Sequence, residues 1–183
     1  MDSRSGDGPP PKVLIAALVV AVAAVVGVLV VAAVMQRPAG PVPVSVAALP
    51  APESDSASCR DLLDALPDRL GDYARAELVQ PAPTGAAAWQ RDDGSEAVIL
   101  RCGLDRPAEF VVGAPLQVVD EVSWLRIAED GTADARTTWF AVDRPVYVAL
   151  TLPAGSGPAP IQAVSDALTE ALPQRPIDPA PAR

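Results

Sequence analysis

Three kinds of side chain in this sequence could carry chemistry: carboxylates in adjacent pairs, an arginine set inside an apolar run, and tryptophans in β-forming segments. The acid pairs are Asp92-Asp93, Asp120-Glu121 and Glu129-Asp130. Paired carboxylates can serve a glycosidase or hold calcium. Asp120 and Glu121 fall in an expected strand, where neighbours point to opposite faces and do not converge on one bond. The other two pairs fall in expected turns, where acids are ordinary, so solvated surface is the plainer account of all three. Arg101 stands between Leu100 and Cys102 and should project away from the core. There it can bind an anionic group or the carboxylate of a second protein, the bland alternative being an ion pair with one of the chain's own acids. Trp89 and Trp124 join Arg101 as candidate binding residues. Trp124 with Trp139 could form a ligand shelf, although aromatic residues in strands usually pack.

Several chemistries lose their support. The 183 residues contain no histidine, the commonest general base and imidazole metal ligand. If its two cysteines pair with each other, the chain has only carboxylates left for a zinc site. It has no Gly-rich phosphate loop, Gly-x-Ser-x-Gly elbow or Ser-x-x-Lys motif, and its one lysine, Lys12, precedes the domain. No catalytic residue, metal site or cofactor is therefore expected. The expectation is a non-enzymatic binding or assembly module, against the alternative of a carboxylate-dependent enzyme acting on a cell-envelope substrate. Asp2 and Asp7 offset Arg4 and Lys12, so the formal charge of -9 lies entirely beyond Lys12. Phosphate backbones and anionic head groups should repel a domain so charged, and nucleic acid is not an expected partner.

These residues must be positioned by a chain that begins with an apolar run. From Val13 to Met35 no charge or strongly polar group occurs. At about 1.5 Å per residue such a helix is about 34 Å long, enough to cross a hydrocarbon core. A cleaved signal peptide is the competing reading, with a shorter apolar region and a small-x-small site such as that near Ala32-Ala33-Val34. Arg4 and Lys12 before the run and Arg37 after it orient it weakly. Cys59 and Cys102 say more: an even pair downstream of an export signal suggests a disulfide formed outside the cytoplasm, with two buried thiols as the alternative. Residues 1–12 would then be cytoplasmic and 13–35 a transmembrane helix. Residues 36–57, rich in Pro and Ala, would form a stalk, residues 58–172 an extracytoplasmic domain, and the proline-punctuated residues 173–183 a disordered tail.

Within the domain, Ser58 reads as an N-cap with Asp61 three residues on, opening a short leucine-rich helix that ends at Pro67. Val98 to Cys102 reads as a strand with Val98, Leu100 and Cys102 on its core face. Val118 to Ile127 and Arg136 to Val142 read as two β-runs around a hairpin signal at Asp130-Gly131. Val146 to Leu152 alternates and follows a tight Asp143-Arg144-Pro145 connection. Ile161, Val164, Leu168 and Leu172 form the stripe of a last helix. The expected fold is α+β, a small antiparallel sheet packed against N- and C-terminal helices and stapled to the first.

Taken in order, Cys59 opening a leucine-rich helix, Ala88-Trp89, Leu100-Arg101-Cys102-Gly103, Val122-Ser123-Trp124-Leu125 and Arg144-Pro145-Val146-Tyr147-Val148 resemble the actinobacterial domain-of-unknown-function family 3515. The resemblance covers about Cys59 to Leu172 and is most specific at Leu-Arg-Cys-Gly. It implies a small exported or membrane-anchored envelope protein from a high-GC bacterium and supplies no activity. One lysine against thirteen arginines is compatible with such a source.

Overall fold

A computed structural model describes residues 11–35, 42–129 and 135–182. The chain divides into two compact units, Met1–Pro38 and Ala39–Arg183. The first contains helix α1, Pro11–Met35. Its stretch Lys12–Ala32 has a mean hydropathy of 3.2 and is long and apolar enough to cross a membrane, a test that an N-terminal signal sequence also passes. Pro11 sits where a helix tolerates proline, since the first amides have no intrahelical acceptor.

The second unit is the α+β domain. Helix α2 (Ala57–Ala65) is followed by strands β1 (Arg69–Leu70), β2 (Tyr73–Ala76), β3 (Ala86–Gln90), β4 (Val98–Leu104), β5 (Leu116–Val119), β6 (Val122–Ala128), β7 (Thr137–Ala141) and β8 (Tyr147–Leu152), and by helix α3 (Ala159–Ala171). The strands make one antiparallel sheet in the order β1-β2-β3-β4-β8-β7-β6-β5. It is two four-stranded meanders joined where β4 pairs with β8. Val98, Leu100 and Cys102 of β4 and Val148, Leu150 and Leu152 of β8 point to one face. There they pack with Cys59, Leu62 and Leu66 and with Ile161, Val164, Leu168 and Leu172. Both helices thus cover the same face, as the apolar stripes required.

Cys59 and Cys102 are bonded, with Cα atoms 5.6 Å apart and both residues fully buried. The bridge joins the first turn of α2 to the centre of the sheet. Ser56 rather than Ser58 caps α2, its Oγ accepting from Cys59 N at 3.2 Å. The helix stops before Pro67, whose ring disfavours helical geometry in the preceding residue.

The division of one strand run and the extent of the domain differ from the sequence-based expectations. The run Val118 to Ile127 is two strands, because Asp120 and Glu121 form a two-residue turn with φ of 45° and 66° between the paired Val119 and Val122. Asp-Glu lacks the glycine that usually marks such turns. The hairpin expected at Asp130-Gly131 has its strands as anticipated, Ala128 opposite Thr137, while its turn lies outside the described residues. The domain is also larger than residues 58–172 at both ends. Val44 N donates to Glu77 O and Val44 O accepts from Val79 N, and Glu53 N donates to Gly103 O. Residues 42–56 of the expected stalk therefore bind the domain, leaving six residues, 36–41, between them and α1. In place of a disordered tail, Arg175 N donates to Asp143 O, while Ala180 exchanges backbone bonds with Phe110 and Val112. Proline forbids helix and central strand but leaves its neighbours free to bond an existing backbone edge.

Gly103 explains why the first of these straps fits. It has a φ of +82°, and a Cβ there would lie 2.3 Å from the Glu53 carbonyl carbon and the Ser54 nitrogen. Gly103→Ala should therefore cost about 3 kcal/mol or more, and Gly94→Ala, also at positive φ but with open space around it, about 1–2. Denaturant titration of the two variants checks this ranking. Replacing both cysteines by serine should cost about 2–4 kcal/mol, read as a lower unfolding midpoint, because the bridge closes a long loop in the unfolded chain.

Candidate functional site

The face of the sheet turned away from the helices has an unusual composition. Residues directly opposite on neighbouring strands share a face, so the register defines its rows. One row runs Ala86, Arg101, Ala149, Phe140, Leu125 and Leu116 across β3, β4, β8, β7, β6 and β5. The other runs Ala76, Ala88, Ile99, Thr151, Thr138 and Ile127 across β2, β3, β4, β8, β7 and β6. Thr138 and Thr151 confirm the shared face, their hydroxyl oxygens lying 3.1 Å apart. Solvated faces of antiparallel sheets ordinarily carry alternating polar side chains. Here two rows hold aliphatic residues, one phenylalanine, two threonines and a single charge, with no carboxylate, in a chain of net charge -9.

Part of this face is covered. Phe110, with Ala114, packs against Leu116, Leu125, Ile127, Phe140, Val142 and Tyr147 in a second apolar cluster. Phe110 meets Tyr147 edge-on at 6.4 Å, and burial pushes the Tyr147 phenol above its ordinary pKa. Towards β3 and β4, Ala88, Ala149 and Thr151 are buried as well, while Ala76, Ala86, Ile99, Arg101 and Thr138 remain partly exposed.

Arg101 is the exception within the rows. Among described arginines that are not fully exposed, Arg144 pairs with Asp143, Arg91 lies over the Tyr73 ring and Arg126 over that of Trp139. Arg101 has no such partner, and its buried Nε finds no hydrogen-bond acceptor among the described residues. Burial alone lowers its pKa below the ordinary guanidinium value. In Leu100-Arg101-Cys102-Gly103, Leu100 fills the core, Cys102 makes the bridge and Gly103 admits the strap. The arginine alone of the four fills no place in the core, the bridge or the strap contact.

The model of the family described as "Protein of unknown function (DUF3515)" matches residues 18–177. The chain belongs to the DUF3515 family. No curated protein and no solved structure matches it.

The other candidates in this DUF3515 domain resolve into structural roles. Trp89 and Trp124 are fully buried and cannot act as binding shelves. Trp89 Nε1 donates to Pro67 O at 2.9 Å and ties the exit of α2 to β3, with the Arg75 guanidinium 4.8 Å from its ring centroid. Trp124 Nε1 donates to the buried Ser165 Oγ at 3.0 Å and ties α3 to β6. Buried indoles need such acceptors, and here each joins a helix element to the sheet. Trp139 is half-buried and lines an open groove of about 380 Å³ with Arg126, Thr137, Leu152, Ser156 and Ile161.

The acids of this DUF3515 domain do not make a metal site: no group of three potential ligands occurs among the described residues. Asp93 accepts from Ser95 N at 2.8 Å in a surface turn, and its hydrogen bonds with Ser95 hold its pKa below the usual carboxylate range. Asp120 and Glu121 border a shallow depression with Asp166, Thr169 and Glu170. Glu129 and Glu96 pair with Arg136, while Asp130 lies outside the described residues.

Sequence reading passed over one polar cluster. Asp143 and Arg144 form a buried ion pair at 2.9 Å, each side chain 2 % exposed. Asp143 Oδ2 accepts from Ser123 N at 2.9 Å, and Arg144 Nη2 donates to Glu121 O and Thr169 Oγ1, both at 3.2 Å. This joins the β5–β6 turn, α3 and the C-terminal strap, so it reads as architecture. Asp143→Ala leaves a buried charge unpaired and should cost about 3–5 kcal/mol. It should also release the strap, measured as faster proteolysis beyond Leu172.

Proposed function

We propose that this is a non-enzymatic binding module, held by α1 on the outer side of a membrane, which engages a partner in the cell envelope through the partly exposed surface around Arg101. The observation that carries the reading is Arg101: a partly buried guanidinium whose Nε finds no acceptor among the described residues, in strand rows without carboxylates. A group kept at a cost to folding is accounted for by an interaction made outside the fold. The absence of histidine and the lack of a metal-ligating cluster among the described residues support the non-enzymatic part. The disulfide supports an oxidising compartment, and the apolar length of α1 supports an anchor.

A second reading, a carboxylate-dependent enzyme acting on an envelope substrate, draws on the depression between Asp120, Glu121, Asp166 and Glu170. That depression is shallow, whereas acid-base catalysis works in a site that holds substrate and excludes water. Asp166→Asn combined with Glu170→Gln would abolish such an activity and should leave the binding module intact.

Two measurements test the main reading. The full chain should stay in the membrane fraction through carbonate extraction, and both cysteines should be alkylated only after reduction. Release into the soluble fraction would remove the anchor, and thiols that label on denaturation alone would remove the outside location. Arg101→Leu should leave the unfolding free energy unchanged or raise it by up to about 1 kcal/mol, as expected of a residue retained for function. A loss of more than about 1 kcal/mol would make Arg101 a structural residue.

A further inference from the structure

We propose that strand β5 is a pairing edge on which a second copy of this chain docks its own β5 antiparallel, so that the two sheets continue into each other. β5 lies four strands from β4, and the inference is independent of the reading given to Arg101.

The two edges of the sheet are treated differently. At one end β1 is two residues long, with Asp68, Arg69 and Asp72 in and around it. The chain beside it is closed off: Arg75 N donates to Asp68 O, Val44 N to Glu77 O and Val79 N to Val44 O. Short strands, charges and covering segments are the usual protection of an edge. At the other end β5 carries no charge, and neither does the run from Phe110 to Val119 that contains it. Val118 is 72 % exposed, and no described strand pairs with the outer side of β5.

Hydrogen bonding fixes which groups point outward. Ser123, opposite Val118, turns both its backbone groups away from β5, its N–H to Asp143 Oδ2 and its C=O to Val142 N. Val118 therefore makes no ladder bond to β6, and its own N–H and C=O face out of the sheet. Backbone direction alternates along a strand, so those of Leu116 face out as well, while Gln117 and Val119 belong to the pairing with β6. These four outward groups find no partner among the described residues. Such a row is a template for another strand.

Symmetry selects the occupant. With Gln117 opposite Gln117 of the second copy, Leu116 meets Val118 of the second copy and Val118 meets its Leu116. All four outward groups of each copy are then satisfied, as in an isologous two-fold interface. Val118 gains an apolar neighbour in place of water. Asp120 and Glu121 come opposite Ala114 and Gly113 of the second copy, so no acid faces an acid. A parallel alignment would instead set the two acidic turns side by side, in a chain of net charge -9.

The test produces the full chain in cells as two differently tagged copies, both carrying either Gln117→Cys or Val118→Cys. The native bridge uses both cysteines, so the added thiol is the one available for oxidation. Residues 117 of the two copies would be directly opposite, with Cα atoms about 4.5–5.5 Å apart and within disulfide reach. Residues 118 would be diagonal neighbours about 7–8 Å apart, too far to bridge. Mild oxidation should therefore give a mixed-tag dimer from Gln117→Cys in about tenfold or greater yield than from Val118→Cys, although Val118 is itself well exposed. Adding Val118→Pro to Gln117→Cys removes an outward N–H that β6 does not use and should lower the yield about tenfold with unchanged melting. Val118→Lys, which places a charge on the edge, should lower it too and supplies the same reading where the proline variant fails to fold. Equal yields at 117 and 118, a yield indifferent to both changes at 118, monomer alone, or a product joining residue 117 only to a different protein would overturn the inference.

Discussion

The bond between Cys59 and Cys102 joins the first helix of the domain to the strand at the middle of its sheet, and much of the architecture is arranged around that strand. β4 carries Cys102 on its core face, pairs with β8 to join the two meanders, and ends at Gly103, where the strap containing Glu53 and Ser54 crosses. The strap leads directly into α2, so its closeness to Gly103 and the position of Cys59 are one geometric condition. A side chain at residue 103 would push the strap away and, with it, the helix end that the disulfide holds.

The rest of the covered face is secured by polar atoms with few alternatives. Trp89 and Trp124 each send an indole N–H to an acceptor that belongs to, or comes just after, a helix. Asp143 and Arg144 draw together the β5–β6 turn, the end of α3 and the C-terminal strap. Apolar burial alone permits two helices to slide on a sheet, since contact is non-directional. Directional bonds from buried donors remove that freedom, because a displaced partner leaves a polar group unsatisfied.

The two faces of the sheet therefore stand in different conditions. On the helix side, most buried polar groups are used within the chain. On the other side, Arg101 keeps a buried Nε without an acceptor among the described residues, beside alanines and an isoleucine. A buried donor without an acceptor costs stability, which is why the surroundings of Arg101 are the most informative functional feature of this DUF3515 protein.

By itself the sequence determined the apolar helix, the α+β class, the cysteine pairing and the core face of β4, β8 and α3. Each follows from a local period or from a count with one sensible solution. It also placed Arg101 outward, since alternation alone decides the face of a strand residue. Tertiary structure decided that Arg101 has no ion pair among the described residues, because such a partner must come from segments distant in sequence. It decided that Trp89 and Trp124 are interior anchors and that the proline-rich ends are straps, since burial and edge bonding come from segments distant in sequence. Strands β1 to β3 were invisible for the same reason: Ala86, Ala87 and Ala88 have little β-propensity, and their conformation is set by the strands they pair with.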